Sequence, residues 1–129
     1  MFFEKILLVS GDFHQDAVHK LSPIELTKEL KSRFNSLKVY TALDPYRQSF
    51  EKEVAYGQEK LDAGSDGFFT QPFFDITLCQ QYLDEFKNIE LFIGISPVVT
   101  QRSYDYWVNV NKVIFPKSFK LDLSYNANL

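Results

Sequence analysis

The sequence contains a single cysteine, Cys79, among 129 residues. One thiol excludes an internal disulfide and is typical of a reducing compartment, so we expect a cytoplasmic protein. Cys79 stands at helical spacing with Ile76, Leu83 and Phe86, which predicts a core residue and not a reactive one. The first residues have neither a basic segment nor a small-residue cleavage site, so no signal peptide is expected.

Long apolar runs and clusters of positive charge are also missing. No apolar stretch approaches the roughly 20 residues that cross a bilayer, and the net charge is −3 without a basic run. We therefore expect neither a membrane nor nucleic acid as a partner. The sequence has no glycine-rich dinucleotide loop, no phosphate-binding loop with a lysine and no nucleophile elbow. Its two histidines, His14 and His19, fall in a predicted loop, so no metal site is expected.

Apolar residues are abundant, at 45% of the chain, and thirteen are phenylalanines. This length and composition fit one domain with an aromatic core. Linkers and low-complexity segments are absent from the sequence, so we expect a single domain over residues 1–129.

Strand and helix patterns alternate along the chain. Short apolar runs predict strands near residues 5–10, 37–42, 67–72 and 89–96, and helices are predicted from residue 23, over 49–63 and 76–87, and from residue 101. Such alternation is typical of an α/β fold with parallel strands and right-handed crossovers. Two architectures remain open, a four-stranded open sheet or an arc of an eight-fold barrel, which when complete takes about 250 residues.

Helix ends and faces have local signals. Ser22 and Glu25 form a predicted capping box with Pro23 at the first helical position, Gly64 is predicted to end the second helix, and Asp75 to cap the third. The predicted apolar faces are Leu26, Leu30 and Phe34 in the first helix, and Phe50, Val54, Gly57 and Leu61 in the second, with charges opposite.

Gln71 is a polar residue in an apolar setting. It follows Phe68, Phe69 and Thr70, precedes Pro72, Phe73 and Phe74, and lies near the carboxyl end of the third strand. A glutamine there is costly to bury without hydrogen-bond partners. Either its amide satisfies stray backbone groups, or it faces a ligand.

Polar residues follow each predicted strand, and ligands of parallel α/β proteins bind at these carboxyl ends. Carboxylates, an amide and hydroxyls on one rim fit a polar heterocycle better than a hydrolytic reaction. Asp44 has a second interpretation as the cap of a turn with Pro45. In chain order the rim residues are Gly11, Asp12 and His14, then Tyr40, Thr41 and Asp44, then Thr70 and Gln71, and last Ser96 and Pro97.

Four motifs in order carry a resemblance to a known family. They are Gly11-Asp12 after Ile-Leu-Leu-Val, Lys60-Leu-Asp-Ala-Gly64, Thr70-Gln-Pro-Phe-Phe-Asp75 and Gly94-Ile-Ser-Pro-Val98. Over roughly residues 6–108 the chain resembles the flavin-dependent methylenetetrahydrofolate reductases.

The resemblance implies an eight-fold β/α barrel with FAD over the carboxyl ends of its strands. The family uses NADH or NADPH to reduce FAD and then reduces 5,10-methylenetetrahydrofolate to 5-methyltetrahydrofolate, a step of one-carbon metabolism and methionine biosynthesis. This chain would supply strands four to seven, a TIM-barrel-like arc of about half the barrel. The strand with the family's general-acid glutamate and the last strand are then expected outside it.

The resemblance also implies roles for individual residues. Asp12 matches an aspartate beside the flavin and the pterin, and Gln71 a glutamine that contacts folate. By the resemblance, Asp12 is the predicted catalytic residue, Asp12 and Gln71 are predicted to bind the substrate, and Gly11 and Asp12 are predicted to bind the cofactor. Tyr40, Asp44, Glu53 and Lys60 fall on or near positions where the family touches FAD.

Several positions depart from the family pattern. Ser10 stands where some members have arginine, Asp44 near a histidine position, and Glu59 where a basic residue is common. Ser103 falls near a second folate-contacting glutamine position. The changes at Ser10, Asp44 and Glu59 remove basic residues, which a flavin diphosphate prefers.

Three interpretations therefore remain open. The leading one is a segment of a methylenetetrahydrofolate reductase-like flavoenzyme that is a homo-oligomer or is completed by further barrel segments, and that by itself is inactive. The second is a non-catalytic half-barrel that serves interaction or assembly. The third is an unrelated open-sheet protein that binds a small molecule.

Overall fold

The structure is a computed structural model that describes residues 3–11 and 21–121. In this part of the chain strands and helices alternate as the sequence predicts, although β1 and β4 each end two residues early. The elements are β1 (Lys5–Leu8), α1 (Pro23–Arg33), β2 (Lys38–Leu43), α2 (Phe50–Asp62), β3 (Gly67–Pro72), α3 (Ile76–Glu85), β4 (Glu90–Gly94) and α4 (Gln101–Asn109).

All four strands pair in parallel, in the spatial order β1-β2-β3-β4. The register places Leu7 beside Tyr40, Tyr40 beside Gly67, and Gly67 beside Glu90. In a doubly wound open sheet the strand order reverses at some point, whereas in a barrel neighbouring strands follow chain order. The sheet is therefore an arc of the TIM-barrel type, and the predicted α/β fold class is confirmed.

The two faces of the sheet carry different sets of side chains, because neighbouring residues of a strand point in opposite directions. On the helix side, Leu43 and Phe68 pack with Tyr82 and Phe86 from α3 and its C-terminal cap to form the buried core. On the opposite, inner face lie the aromatic rings of Tyr40, Phe69 and Phe92. Phe69 and Phe92 stack with ring centroids 4.3 Å apart, and Tyr40 meets both edge to face at 5.7 and 5.5 Å.

The predicted ends of the helices are confirmed. The Ser22 hydroxyl accepts a hydrogen bond from the Glu25 backbone, and the Glu25 carboxylate accepts one from the Ser22 N–H at 2.8 Å. Asp75 caps α3 by accepting from two backbone N–H groups. Gly64 has a φ of +112°, which glycine adopts without steric cost.

The predicted apolar face of α2 packs against the core, but two of the charges predicted to lie opposite it do not. Gly57 is buried as expected, but the charged residues Glu53 and Lys60 are buried on the same side of the helix. A Cβ at Gly57 would lie 3.0 Å from the Phe86 ring and 3.1 Å from Leu43. Gly57 therefore brings its side of α2 close to the sheet. Glu53, four residues before it, and Lys60, three residues after it, lie on the same side of the helix and are buried with it.

The predicted apolar faces of α1 and α3 also need correction. In α1 the buried residue is Thr27, and Phe34 is 42% exposed. In α3 the buried residues are Cys79 and Tyr82, whereas Leu83 is 37% and Ile76 86% exposed. The broad ring of Tyr82 fills the core where spacing alone had placed Leu83, because it packs between other aromatic rings.

We propose that the 129-residue chain, studied by itself, self-associates through the inner face of its sheet. Leu7, Phe69 and Phe92 expose 44%, 37% and 41% of their surface there, and the outer edges of β1 and β4 have no partner strand among the described residues. Contiguous apolar surface and unpaired strand edges favour association. Sedimentation at micromolar concentration should show dimers or larger species.

A charge on the inner face should reduce this association. Phe92→Lys is expected to shift the sedimentation profile towards monomer, whereas Ile114→Lys, at an apolar position that is 80% exposed outside the sheet, should not. A clean wild-type monomer would contradict the proposal.

Candidate functional site

The carboxyl ends of the strands form the rim on which the sequence places its candidate residues. Asp12 and His14 lie outside the described residues, so their predicted roles stay predictions. Gly11 is described, and it has a φ of +68° with open space around the position of a Cβ. Its backbone thus takes a left-handed turn just after β1 that favours glycine.

Gln71 lies on β3 near the rim, with an exposed side chain. Its amide makes no hydrogen bond to any described residue, whereas the neighbouring Thr70 hydroxyl accepts from the Gly94 backbone N–H at 2.9 Å. Thr70 therefore satisfies the backbone at the irregular pairing between β3 and β4. The amide of Gln71 is left available to a ligand.

Tyr40 is buried on the inner face, and its hydroxyl is directed away from the rim. The hydroxyl donates to the carboxylate of Glu90, the first residue of β4. This hydrogen bond, with burial as a lesser cause, raises the pKa of Tyr40 to about 12. The phenol thus stays protonated at neutral pH. Its hydrogen bond joins β2 to the start of β4 on the inner face.

Asp44 directly follows β2 and closes the turn into α2. One of its carboxylate oxygens accepts from the Tyr46 backbone N–H at 2.9 Å, an arrangement typical of an aspartate-capped turn. Tyr46 in turn accepts through its hydroxyl from the Phe74 N–H at 2.9 Å. The loops after β2 and β3 are therefore connected at the rim.

Glu53 is fully buried in the first turn of α2, although it is a carboxylate. It accepts from the Asp44 backbone N–H at 2.9 Å, from the Arg47 guanidinium at 2.6 and 3.3 Å, and from the Gln48 amide at 2.7 Å. A buried charge is tolerated when it is paired and hydrogen-bonded in this way. Glu53 thus fixes the loop between β2 and α2.

Lys60 is 2% exposed, two turns further along α2. Its ammonium donates to the Ala42 carbonyl and lies 4.0 Å from the centre of the Tyr56 ring. Burial, and then repulsion from Arg47, lower the pKa of Lys60 to about 8 against the attraction of Glu53. The ammonium therefore interacts with the backbone of β2 and with the Tyr56 ring, and it is not exposed at the surface.

An open groove lies beside this charged cluster, with a volume of about 570 Å³. Arg47 and Tyr56 meet there, with the guanidinium carbon 5.1 Å from the ring centre. Neither residue was predicted from the sequence as part of a site, although a cation directly after the Asp44 turn was a usable signal. The groove is lined by Arg47, Gln48, Lys52, Ala55, Tyr56 and Glu59.

The donor set of this groove fits a dinucleotide such as FAD. Arg47 and Lys52 provide two cations against the one carboxylate of Glu59, and Tyr56 provides an aromatic surface. Phosphates are bound by such cations, and Arg can hold two oxygens at once. The groove runs along α2, and one end of it is formed by Arg47 and Gln48 of the loop that follows β2. Ligands of parallel β/α folds bind at such loops.

Two features are absent from the residues that the structure describes. These residues contain no group of three or more His, Cys, Asp or Glu side chains that could hold a metal ion. Within the same ranges no helix is long and apolar enough to span a membrane.

The sequential parallel arc and its polar rim define a protein of the β/α-barrel class. Residues 3–128 match the family model of methylenetetrahydrofolate reductase, and the chain belongs to that family. None of the curated proteins matches the chain.

Among solved structures, 2,3-dimethylmalate lyase, a member of the PEP mutase/isocitrate lyase superfamily, matches with a TM-score of 0.49 and 18% sequence identity. The match covers 63% of this chain and 32% of the lyase chain. The chain thus spans about a third of the length of that protein.

Removal of the Glu53 carboxylate should destabilise the protein. We expect Glu53→Ala to lower the free energy of unfolding by about 3 kcal/mol, because it leaves an empty site in the interior and three partly buried hydrogen-bond donors of the loop unpaired. Urea denaturation measures this change. Glu51→Ala, at an exposed position of the same helix, should change stability by less than about 1 kcal/mol, and an equal effect of both variants would contradict the role of Glu53.

The buried amine of Lys60 should make stability depend on pH. Its folded pKa of about 8 lies below the ordinary value of 10.5, so between these values the unfolded chain binds more protons than the folded one. Stability of the wild type, measured against Lys60→Met, should therefore rise with pH, by up to roughly 2 kcal/mol between pH 8 and 10.

The comparison with Lys60→Met removes contributions of Tyr40 and Cys79, whose titration is shared by both proteins. Urea denaturation at several pH values provides the measurement, and Lys52→Met at an exposed position of α2 is the matched control. A stability difference that stays constant from pH 8 to 10 would show that the amine is not desolvated.

Proposed function

We propose that this chain forms part of the FAD and folate site of a flavin-dependent methylenetetrahydrofolate reductase. The observation that carries the proposal is the exposed amide of Gln71, which has no hydrogen-bond partner within residues 3–11 and 21–121, at the rim of a chain that belongs to this family. FAD, when bound, would supply hydride transfer from NADH or NADPH to 5,10-methylenetetrahydrofolate.

The residues divide into those that contact ligands and those that position others. Gln71 would hold the pterin amide by hydrogen bonds, because its side chain has no competing partner among the described residues. Asp12 would hold the exocyclic amine of the pterin and keep negative charge near the pyrimidine end of the flavin, which modulates how readily the flavin accepts hydride. Gly11 would let the backbone turn towards the cofactor just before Asp12.

Glu53 and Lys60 would act on FAD indirectly. The Glu53 carboxylate is saturated by Asp44, Arg47 and Gln48, and the Lys60 ammonium is held by the Ala42 carbonyl. Both are therefore positioning residues of the loop that borders the cofactor groove. Tyr40 would hold the inner face in place by its hydrogen bond to Glu90, and Asp44 would fix the loop at the rim by capping the turn.

A non-catalytic half-barrel that mediates assembly is the second candidate. It is favoured by the exposed aromatic inner face and by Asp44 and Glu59, which stand where the family has basic residues. Flavin binding separates the candidates, because an assembly module has no need to retain FAD.

A substitution at Gln71 tests the folate site. In the complete barrel, Gln71→Leu should weaken folate binding about tenfold, equivalent to about 1.4 kcal/mol, because it removes the hydrogen bonds to the pterin. Flavin binding should change less. Folate titration and flavin absorbance measure the two affinities.

Gln81→Leu, at an exposed glutamine of α3, is the matched control and should leave both affinities unchanged. Asp12→Asn should affect both folate affinity and flavin reduction. Unchanged folate affinity in Gln71→Leu would return that residue to a purely structural role.

A further inference from the structure

We infer that Arg47 binds the diphosphate of the dinucleotide and replaces the cations that this chain lacks at Asp44 and Glu59. The inference rests on the proposed function, since the ligand it names is FAD. It adds a residue that neither the family motifs nor their spacing had indicated.

The guanidinium of Arg47 is held in place on one side. Its Nη2 donates to Glu53 Oε1 at 2.6 Å, and its Nε to Glu53 Oε2 at 3.3 Å. Arginine has five N–H donors in a planar fork, so this pairing leaves Nη1 and the second Nη2 hydrogen without a partner among the described residues. A fixed guanidinium with unused donors loses little side-chain entropy when it binds an anion.

The surroundings of Arg47 direct those unused donors to the groove. The Arg47 side chain is 39% exposed, whereas the Glu53 carboxylate behind it is fully buried. Tyr56 supports the guanidinium at 5.1 Å, and Lys52 lines the same groove as a second cation. Lys60 does not take this role, because its ammonium donates to the Ala42 carbonyl.

A diphosphate fits these groups better than a single carboxylate does. It has several charged oxygens, so a fork-shaped donor and a separate ammonium can each bind one part of it. The whole chain has a net charge of −3, so a local excess of cations at the rim is not a general property of its surface. The groove also borders the Asp44 turn, beside which FAD is expected to lie.

Binding measurements with phosphate-containing and phosphate-free ligands test the inference. Calorimetry would use inorganic pyrophosphate and ADP, and flavin fluorescence would use FAD and riboflavin. Arg47→Lys keeps the charge and the pairing with Glu53 but loses the fork, so it should weaken binding of pyrophosphate, ADP and FAD about tenfold and leave riboflavin unchanged. Lys52→Gln should lower the affinity for the same three ligands about threefold, because it removes one flexible point charge at the exposed edge of the groove.

The matched control is Arg33→Lys, an exposed arginine of α1 that pairs with Glu29 away from the groove. It should bind every ligand as the wild type does. Thermal unfolding of each variant measures the folded fraction, by which each affinity is corrected.

The outcomes separate the inference from the proposed function. If Arg47→Lys binds FAD as tightly as the wild type, or if its affinities for FAD and riboflavin fall equally, the assignment of Arg47 is overturned while the FAD site stands. If pyrophosphate and ADP bind in an Arg47-dependent way but FAD does not, the anion site stands and the proposed function fails. A wild type that binds none of the phosphate ligands would overturn both.

Discussion

The buried carboxylate of Glu53 is the interaction on which the rim of this protein depends. A fully buried charge is costly unless several donors compensate it, and here the donors come from Asp44, Arg47 and Gln48. These residues occupy the segment that joins the end of β2 to α2. One side chain therefore fixes both the shape of the loop and the direction of the Arg47 guanidinium.

The close contacts between strands β3 and β4 leave no room for a side chain at two positions. A Cβ at Gly67 would lie 2.4 Å from the Glu90 carbonyl oxygen, and one at Gly94 would lie 2.6 Å from the Thr70 carbonyl oxygen. Between these two points the pairing shifts register, and the Thr70 hydroxyl compensates for it by accepting from the Gly94 N–H. The irregularity is thus satisfied without Gln71, and this is why an amide set among aromatic residues remains available at the rim.

Local signals explain what the sequence predicted well. The strands and their order follow from short apolar runs that alternate with helical periods, and the helix ends follow from Ser22, Gly64 and Asp75, whose side chain or missing side chain acts within a few residues. Such effects require no knowledge of the tertiary structure. The family resemblance was likewise carried by short motifs and is confirmed by the family match over residues 3–128.

The misjudged features all depend on contacts between distant parts of the chain. Helix periodicity placed the charges of α2 opposite its apolar face and did not predict the burial of Glu53 and Lys60. That burial depends on the close approach of Gly57 to Phe86 and Leu43. The direction of the Tyr40 hydroxyl depends on Glu90, fifty positions further along the chain. Periodicity reports which residues share a face, and only packing decides which face is turned inward.

This difference between local and distant contacts also bears on how the site is built. The matched positions Glu53 and Lys60 have their polar atoms occupied inside the protein, so their charges act on neighbouring groups rather than directly on a ligand. Arg47 and Gln71 are exposed at the rim, and Arg47 is held there by the buried carboxylate of Glu53. Because Glu53 secures the orientation of the Arg47 guanidinium, binding of an anion there would cost little side-chain entropy.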